Sequence, residues 1–434
     1  MLRAYRDRAS LILSLSKDEP PCSWFDKLTT SGVLLCASLI IVAMGAAERD
    51  PLPRVAPESV GLAPARLRLA TDLLRQFVTD DKVAGAVAAV ARKGKLAYFE
   101  TVGVQDLESR IPMAERSLFR IYSMTKPVTA VAVMMLLEEG RFGLQDPVSK
   151  YLPEFQRAVV QEPAGTTRRP AHEITVEDLL LHTSGLSHRT SDLYTRAQVR
   201  SRATPLPQFI DNIVRAPLME DPHTRFRYSE ATTVLGRLVE IWSGKALDVF
   251  LEERVFRPLG MIDTGFWVRP EQRSRLTRVY APAAGGLTPI EIEAVPFTER
   301  PALLEGAVGL VSTVPDYLRF SQTLLNRGEL EGVRLLKATT VDRMVTNGLP
   351  EAIVQARGGA MGWGLGNVNV VLDPKSLAYP ADAGEYGWDG TAGTIFWIDP
   401  AKETIIVLMT QSSPANPESL RQRFKTLVQQ SLVD

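Results

Sequence analysis

The chain has 434 residues, 45% of them hydrophobic, which is enough for one large packed domain or two of ordinary size. Fifty basic residues balance fifty acidic ones, and no basic block or aromatic-basic stripe stands out, so a nucleic-acid partner has no electrostatic support. No repeat with a period of about 20 to 50 residues is present, which removes solenoids and propellers.

The N-terminus reads as a targeting segment. Residues 28–47 carry no charge and follow Lys27, and the apolar run Val33 to Ala43 precedes the small residues Gly45-Ala46-Ala47. This pattern predicts a signal peptide over 1–47, cut after Ala47, and a mature chain exported to the periplasm or medium. The lead from Met1 to Lys27 is long for such a signal. The alternative is an inner-membrane anchor at 28–47, since about 20 uncharged residues just span a bilayer. A membrane would then be met only through that segment. Both cysteines, Cys22 and Cys36, fall inside it, so the mature chain would have no disulfide and no thiol nucleophile.

Residues 48–140 open the folded part. Leu67, Ala70, Leu74 and Phe77 recur at helical spacing behind Pro64, predicting an amphipathic helix from Pro64 to Thr79. The β-type runs Val83 to Ala91 and Lys95 to Gly103, joined by Arg92-Lys93-Gly94, predict an antiparallel hairpin on which that helix packs. Next comes Ile121-Tyr122-Ser123-Met124-Thr125-Lys126-Pro127, leading into an apolar helix. A serine three residues before a lysine in the first turn of a helix sets hydroxyl and amine on one face. A lysine amine takes a proton from serine only where burial or a neighbouring cation favours its neutral form, and a helix N-terminus adds such a positive field.

The stretch 141–300 reads as a mostly helical insert, with helical patterns at Val176 to His182, Leu206 to Val214, Ala231 to Trp242 and Leu247 to Val255. The loop 152–175 is too long for a plain connector and is expected to form part of a rim over the site. In 301–434, Gly393 to Ile398 and Thr404 to Thr410 predict a second hairpin around Asp399-Pro400, and Pro417 to Val433 a closing helix. The two chain ends look alike. They predict an α+β fold in which one antiparallel sheet is built from both termini and flanked by helices, with the helical insert between.

Five motifs in order resemble the serine β-lactamase and penicillin-binding-protein superfamily, most of all its class C-like branch and the carboxylesterases there. They are Ser123-Met124-Thr125-Lys126, Leu179-Leu180-Leu181-His182-Thr183-Ser184-Gly185-Leu186, Phe226-Arg227-Tyr228-Ser229, Gly309-Leu310-Val311-Ser312-Thr313 and Gly387-Trp388-Asp389-Gly390-Thr391-Ala392-Gly393-Thr394. The resemblance implies that Ser123 is the nucleophile, that Lys126 and Tyr228 move its proton, and that the backbone N–H groups of Ser123 and Thr391 form an oxyanion hole. It sets Tyr122, Glu230, Trp388 and Gly390 along the substrate, and it calls for no cofactor.

Two positions depart from the family pattern. Its lactamases and peptidases usually carry lysine or histidine where this chain has Trp388, and that cation helps hold a substrate carboxylate. Losing it removes a contact worth about 1.5–3 kcal/mol and favours an uncharged, apolar group. The usual asparagine two residues after the tyrosine is Glu230, which cannot donate to a substrate carbonyl. Glu230 either pairs with Lys126 or points away at the start of the following helix, where negative charge is favoured.

His182 looks structural, and His172, His188 and His223 have no paired spacing, so no metal site is visible. No His-Glu-x-x-His, Gly-x-Ser-x-Gly or phosphate-binding glycine loop is present. The expected function is hydrolysis of small or medium apolar carboxylic esters. The alternatives are β-lactamase or D-alanyl-D-alanine peptidase activity, and a non-catalytic penicillin-binding-like sensor. The small-molecule partner is accordingly an ester or a lactam.

Overall fold

Strand pairing joins the two chain ends in one sheet. The computed structural model describes residues 51–163 and 165–433, so the signal-peptide expectation lies outside the described residues. The strands of the main sheet are β1 (Gly85–Arg92), β2 (Lys95–Asp106), β3 (Ile111–Pro112), β4 (Met361–Gly364), β5 (Val368–Val371), β6 (Tyr386–Asp389), β7 (Thr394–Asp399) and β8 (Thr404–Thr410). Their order is β4-β5-β6-β7-β8-β1-β2-β3, with every neighbouring pair antiparallel. The first hairpin therefore docks against the last strand, with Val87 opposite Met409 and Ala89 opposite Val407.

Every residue of β1 is buried, because both faces of the sheet are covered. Ala86, Ala88 and Val90 face an outer layer with Ile406, Leu408 and Trp397. Two helices close it, α1 (Pro64–Thr79) and α5 (Leu420–Gln429). The buried positions of α1 include Leu67, Ala70, Leu74 and Phe77, the residues whose spacing predicted it. Each large apolar side chain buried there stabilises the layer by about 1.5–3 kcal/mol. Helix α5 is shorter than Pro417 to Val433, because Glu418 and Ser419 take left-handed φ values of 46° and 58° that a continuous helix forbids.

Val87, Ala89 and Ala91 turn to the opposite face with Phe396, Val407 and Met409, where α2 (Thr125–Glu138) and α4 (Val314–Leu325) belong to the same core. Helix α2 is buried from Thr125 to Leu136, so it has no polar face. Helix α3 (Ala231–Ser243) packs on α2 and carries the 141–300 segment to it. The helix expected at Leu247 to Val255 is α-helical only to Leu251 and then widens into a π turn, Glu252–Phe256, ahead of Pro258, which lacks the N–H that an α turn needs. The 152–175 loop forms a short ribbon, Val160–Gln161 with Thr167–Arg168, and Arg168 pairs with Asp221. The Gln161 N–H donates to Leu218. These contacts fasten it to the 218–221 segment, and none of them reaches the residues expected in the site.

Candidate active site

Ser123 lies in a tight 3-10 turn, Tyr122–Met124, and α2 begins only at Thr125. The turn is held from several sides. Phe119 and Arg120 pair antiparallel with Ser312 and Val311, and the Ile121 N–H donates to Leu310 at 3.1 Å. The Tyr317 hydroxyl donates to the Met124 carbonyl at 2.9 Å, and the Leu310 N–H to the Thr125 hydroxyl at 3.1 Å. The Gly309 to Thr313 motif thus supports the turn that carries Ser123. Tyr122 adopts φ 41°, a strained value for a residue with a side chain, costing on the order of 1–3 kcal/mol. Its ring is wholly buried against Phe297, with the two rings 5.8 Å apart. Burial pushes its phenol up to about 12. Tyr122 therefore offers no surface to a substrate, against the expectation, and acts instead as the wedge beneath Ser123.

Lys126, one turn on, is 1% exposed and donates to the Ala307 carbonyl at 3.1 Å. Its Nζ sits 4.5 Å from the centre of the Tyr228 ring. The Tyr228 hydroxyl accepts a hydrogen bond from the Trp388 indole N–H at 3.2 Å, which leaves its own proton free to donate. Lys126 of α2, Tyr228 of the segment before α3 and Trp388 at the end of β6 thus come together, and Ser123 sits in the turn that leads into α2.

The walls are aromatic. Trp363 meets Trp388 edge to face at 4.6 Å, and His188 stacks on Tyr228 at 5.6 Å. Burial, with the Lys126 charge next, holds the His188 imidazole down at about 4 and His182 well below the usual histidine range. Both are neutral at ordinary pH. His182 is fully buried, with Nδ1 3.1 Å from the Ser229 hydroxyl. Trp363 and His188 escaped sequence reasoning. The only signal for Trp363 is its glycine frame, since a Cβ at Gly364 would collide with the Met344 carbonyl and draws that strand tight against its neighbour.

Glu230 occupies the N-cap of α3, as one reading of it proposed, yet it is 1% exposed and makes no capping hydrogen bond with its side chain. Its carboxylate accepts from Thr233 at 2.9 Å. Burial raises its pKa, with Glu305 adding to the rise, while Lys126 and Arg200 oppose it. Glu230 thus stands at the helix start, but buried. Glu230 belongs to a buried charge cluster in which Arg200 bridges Glu293 and Glu305.

Gly390 abuts the turn that carries Ser123: a Cβ there would run into the Ile121 carbonyl and the Thr394 hydroxyl. Glycine alone allows this approach, which sets the backbone at Gly390 against Ile121, two residues before Ser123. Gly393 donates to the Gly390 carbonyl at 3.1 Å and closes a turn with Thr391 in its second position.

A family model described as Beta-lactamase matches residues 70–430. The chain belongs to the β-lactamase family. A Mycobacterium tuberculosis protein of uncharacterised function is 35% identical over 79% of this chain and 89% of its own length. Esterase EstB of Burkholderia gladioli is 30% identical over 85% of this chain and 95% of its own. Among solved structures, EstCE1, a hydrolase with promiscuous acyltransferase activity, superposes with a TM-score of 0.75 at 26% identity, covering 85% of this chain and 99% of its own. These matches make the protein an α+β member of the β-lactamase family and a serine hydrolase, on the branch that contains esterases. Among the described residues no helix is long and apolar enough to cross a membrane.

Proposed function

We propose that this serine hydrolase cleaves neutral esters of small or medium apolar acids through an acyl-enzyme on Ser123. In this reading Lys126 accepts the Ser123 hydroxyl proton as Oγ attacks the ester carbonyl carbon. The Ser123 and Thr391 N–H groups take the charge that develops on the carbonyl oxygen. Tyr228 then donates its phenolic proton to the departing alkoxide and is reprotonated from the Lys126 ammonium. Water repeats the sequence on the acyl-enzyme, releasing the acid and restoring Ser123. Tyr228 enters from the 141–300 insert, whereas Ser123 and Thr391 belong to the two halves of the domain around it, 48–140 and 301–434. The charge-free segment 28–47 supports a site of action outside the cytoplasm.

The observation that carries the ester reading is the indole hydrogen bond on Tyr228. Trp388 keeps a donor on the phenol while supplying no positive charge, so a substrate carboxylate gains nothing at this position. Asp389 is already paired with Arg421 at 2.6 Å, on the strand face opposite Trp388.

Steady-state kinetics on p-nitrophenyl butyrate and a cephalosporin, for the wild type and Trp388→Lys, test this. The wild type should favour the neutral ester. The variant should gain up to about a hundredfold in kcat/KM on the cephalosporin, equivalent to about 2.7 kcal/mol, and lose on the ester. A wild-type enzyme that turns over the cephalosporin faster than the ester overturns the reading.

A further inference from the structure

The carbonyl of a trans peptide points opposite to its own N–H. The Gly390 carbonyl and the Thr391 N–H belong to one peptide unit, so whatever grips the first aims the second. Arg421 grips it. Its Nη2 donates to the Gly390 carbonyl at 2.8 Å and to the Thr394 carbonyl at 3.1 Å, while Nη1 donates to Asp389 at 2.6 Å. Successive side chains of a strand point to opposite faces, and here Trp388 meets Tyr228 while Asp389 meets Arg421 from α5. An arginine of the outer layer thus reaches around the end of β6 to the back of the active site. It is 6% exposed.

We infer that Arg421 is a positioning residue for the oxyanion hole. Its planar fork fixes the orientation of the 390–391 peptide, with Asp389 setting the fork. Its charge, placed on the carbonyl oxygen, polarises the peptide and strengthens the opposite N–H as a donor. A lysine presents one ammonium and cannot hold both carbonyls and the carboxylate in the same plane. This rests on the reading of the Thr391 N–H as an oxyanion donor, so the test must separate the two.

Arg421→Met, Arg421→Lys and Thr391→Pro in the full chain make that separation. Proline removes the amide hydrogen and is favoured at the second position of a β-turn, which Thr391 occupies. The readouts are kcat and KM on p-nitrophenyl butyrate, and the carbonyl stretch of the acyl-enzyme by infrared spectroscopy. Arg421→Met should lower kcat about 10- to 100-fold, less than deletion of an oxyanion donor, with KM within about twofold of wild type. Its acyl carbonyl stretch should move to higher wavenumber, Arg421→Lys should fall between, and Thr391→Pro should lose at least as much as Arg421→Met. If Arg421→Met keeps wild-type kcat while Thr391→Pro is inactive, the positioning role is overturned and the oxyanion hole stands. If Thr391→Pro keeps wild-type kcat, the oxyanion reading itself fails. Should Arg421→Met not fold, Arg421→Lys decides, and an unshifted carbonyl stretch in it overturns the role.

Discussion

Helices α1 and α2 cover opposite faces of the same sheet and are built to different rules. Helix α1 buries Leu67, Ala70, Thr71, Leu73, Leu74 and Phe77 on one side and leaves the opposite side wet. Helix α2 is enclosed from Thr125 to Leu136 and shows no amphipathic pattern at all. The outer helix covers the sheet, and the inner one, with the turn that leads into it, holds Lys126 and Ser123 where water is scarce. Low dielectric strengthens whatever charge or hydrogen bond is placed there, so packing on the inner face sets chemistry as well as stability. Arg421 is where the outer layer crosses into that business.

Substitutions on the two faces should therefore fail in different ways. The largest effect is expected at Gly390→Ala, where the new methyl meets the Ile121 carbonyl and displaces the Gly390–Thr391 peptide from Ser123. kcat/KM on a neutral ester should drop by about a hundredfold or more, comparable to losing one oxyanion donor. On the outer face, Leu74→Ala should cost about 2–5 kcal/mol in denaturant unfolding, since Leu74 is 0% exposed, while kcat/KM of the folded fraction stays within about twofold. Equal damage to activity from both changes would erase the distinction between the faces.

A smaller effect concerns Asp316 on α4, in the inner layer. Burial, with Asp263 beside it, raises the Asp316 carboxyl to about 7 from its ordinary 3.8. The protonated form is the one the fold prefers, so its contribution is complete below about pH 3.8 and disappears as pH rises through about 7. Asp316→Asn, which mimics that form, should stabilise the protein by about 1–3 kcal/mol at pH 8 and by nothing near pH 4. Melting temperatures of both proteins across that range check it. A gain independent of pH would mean that the carboxyl does not titrate in this window.

What the sequence disclosed follows the same division. Helix α1 was legible to the residue, because one buried face against one wet face imposes a period. The two terminal hairpins were legible because β-type runs flank Arg92-Lys93-Gly94 and Asp399-Pro400. Their pairing through β1 and β8 followed from the symmetry of the chain ends. Helix α2 has no period to read, and the Ser123–Lys126 spacing and the apolar run behind it mark it. The 3-10 start at Tyr122 was invisible, because it is imposed by Phe119–Arg120 pairing with Val311–Ser312, nearly two hundred residues away. For the same reason the burial of Tyr122, expected along the substrate, depends on the fold. Glu230 could be placed at a helix start from local sequence, but its burial depends on Glu305 and Arg200 arriving from other segments. The Trp388 substitution was legible as a lost cation. Its hydrogen bond to Tyr228 required the fold.

The central claim is that Ser123 is the group acylated. Wild-type protein and Ser123→Ala, matched for folding by circular dichroism, should be treated with a fluorophosphonate probe and analysed by intact mass and peptide mapping. One adduct per chain is expected, on the peptide containing Ser123, with ester hydrolysis falling in proportion to labelling. Ser123→Ala should give no adduct and lose at least about a thousandfold in kcat. An adduct on another serine, or a variant that still labels and turns over ester at the wild-type rate, would contradict it.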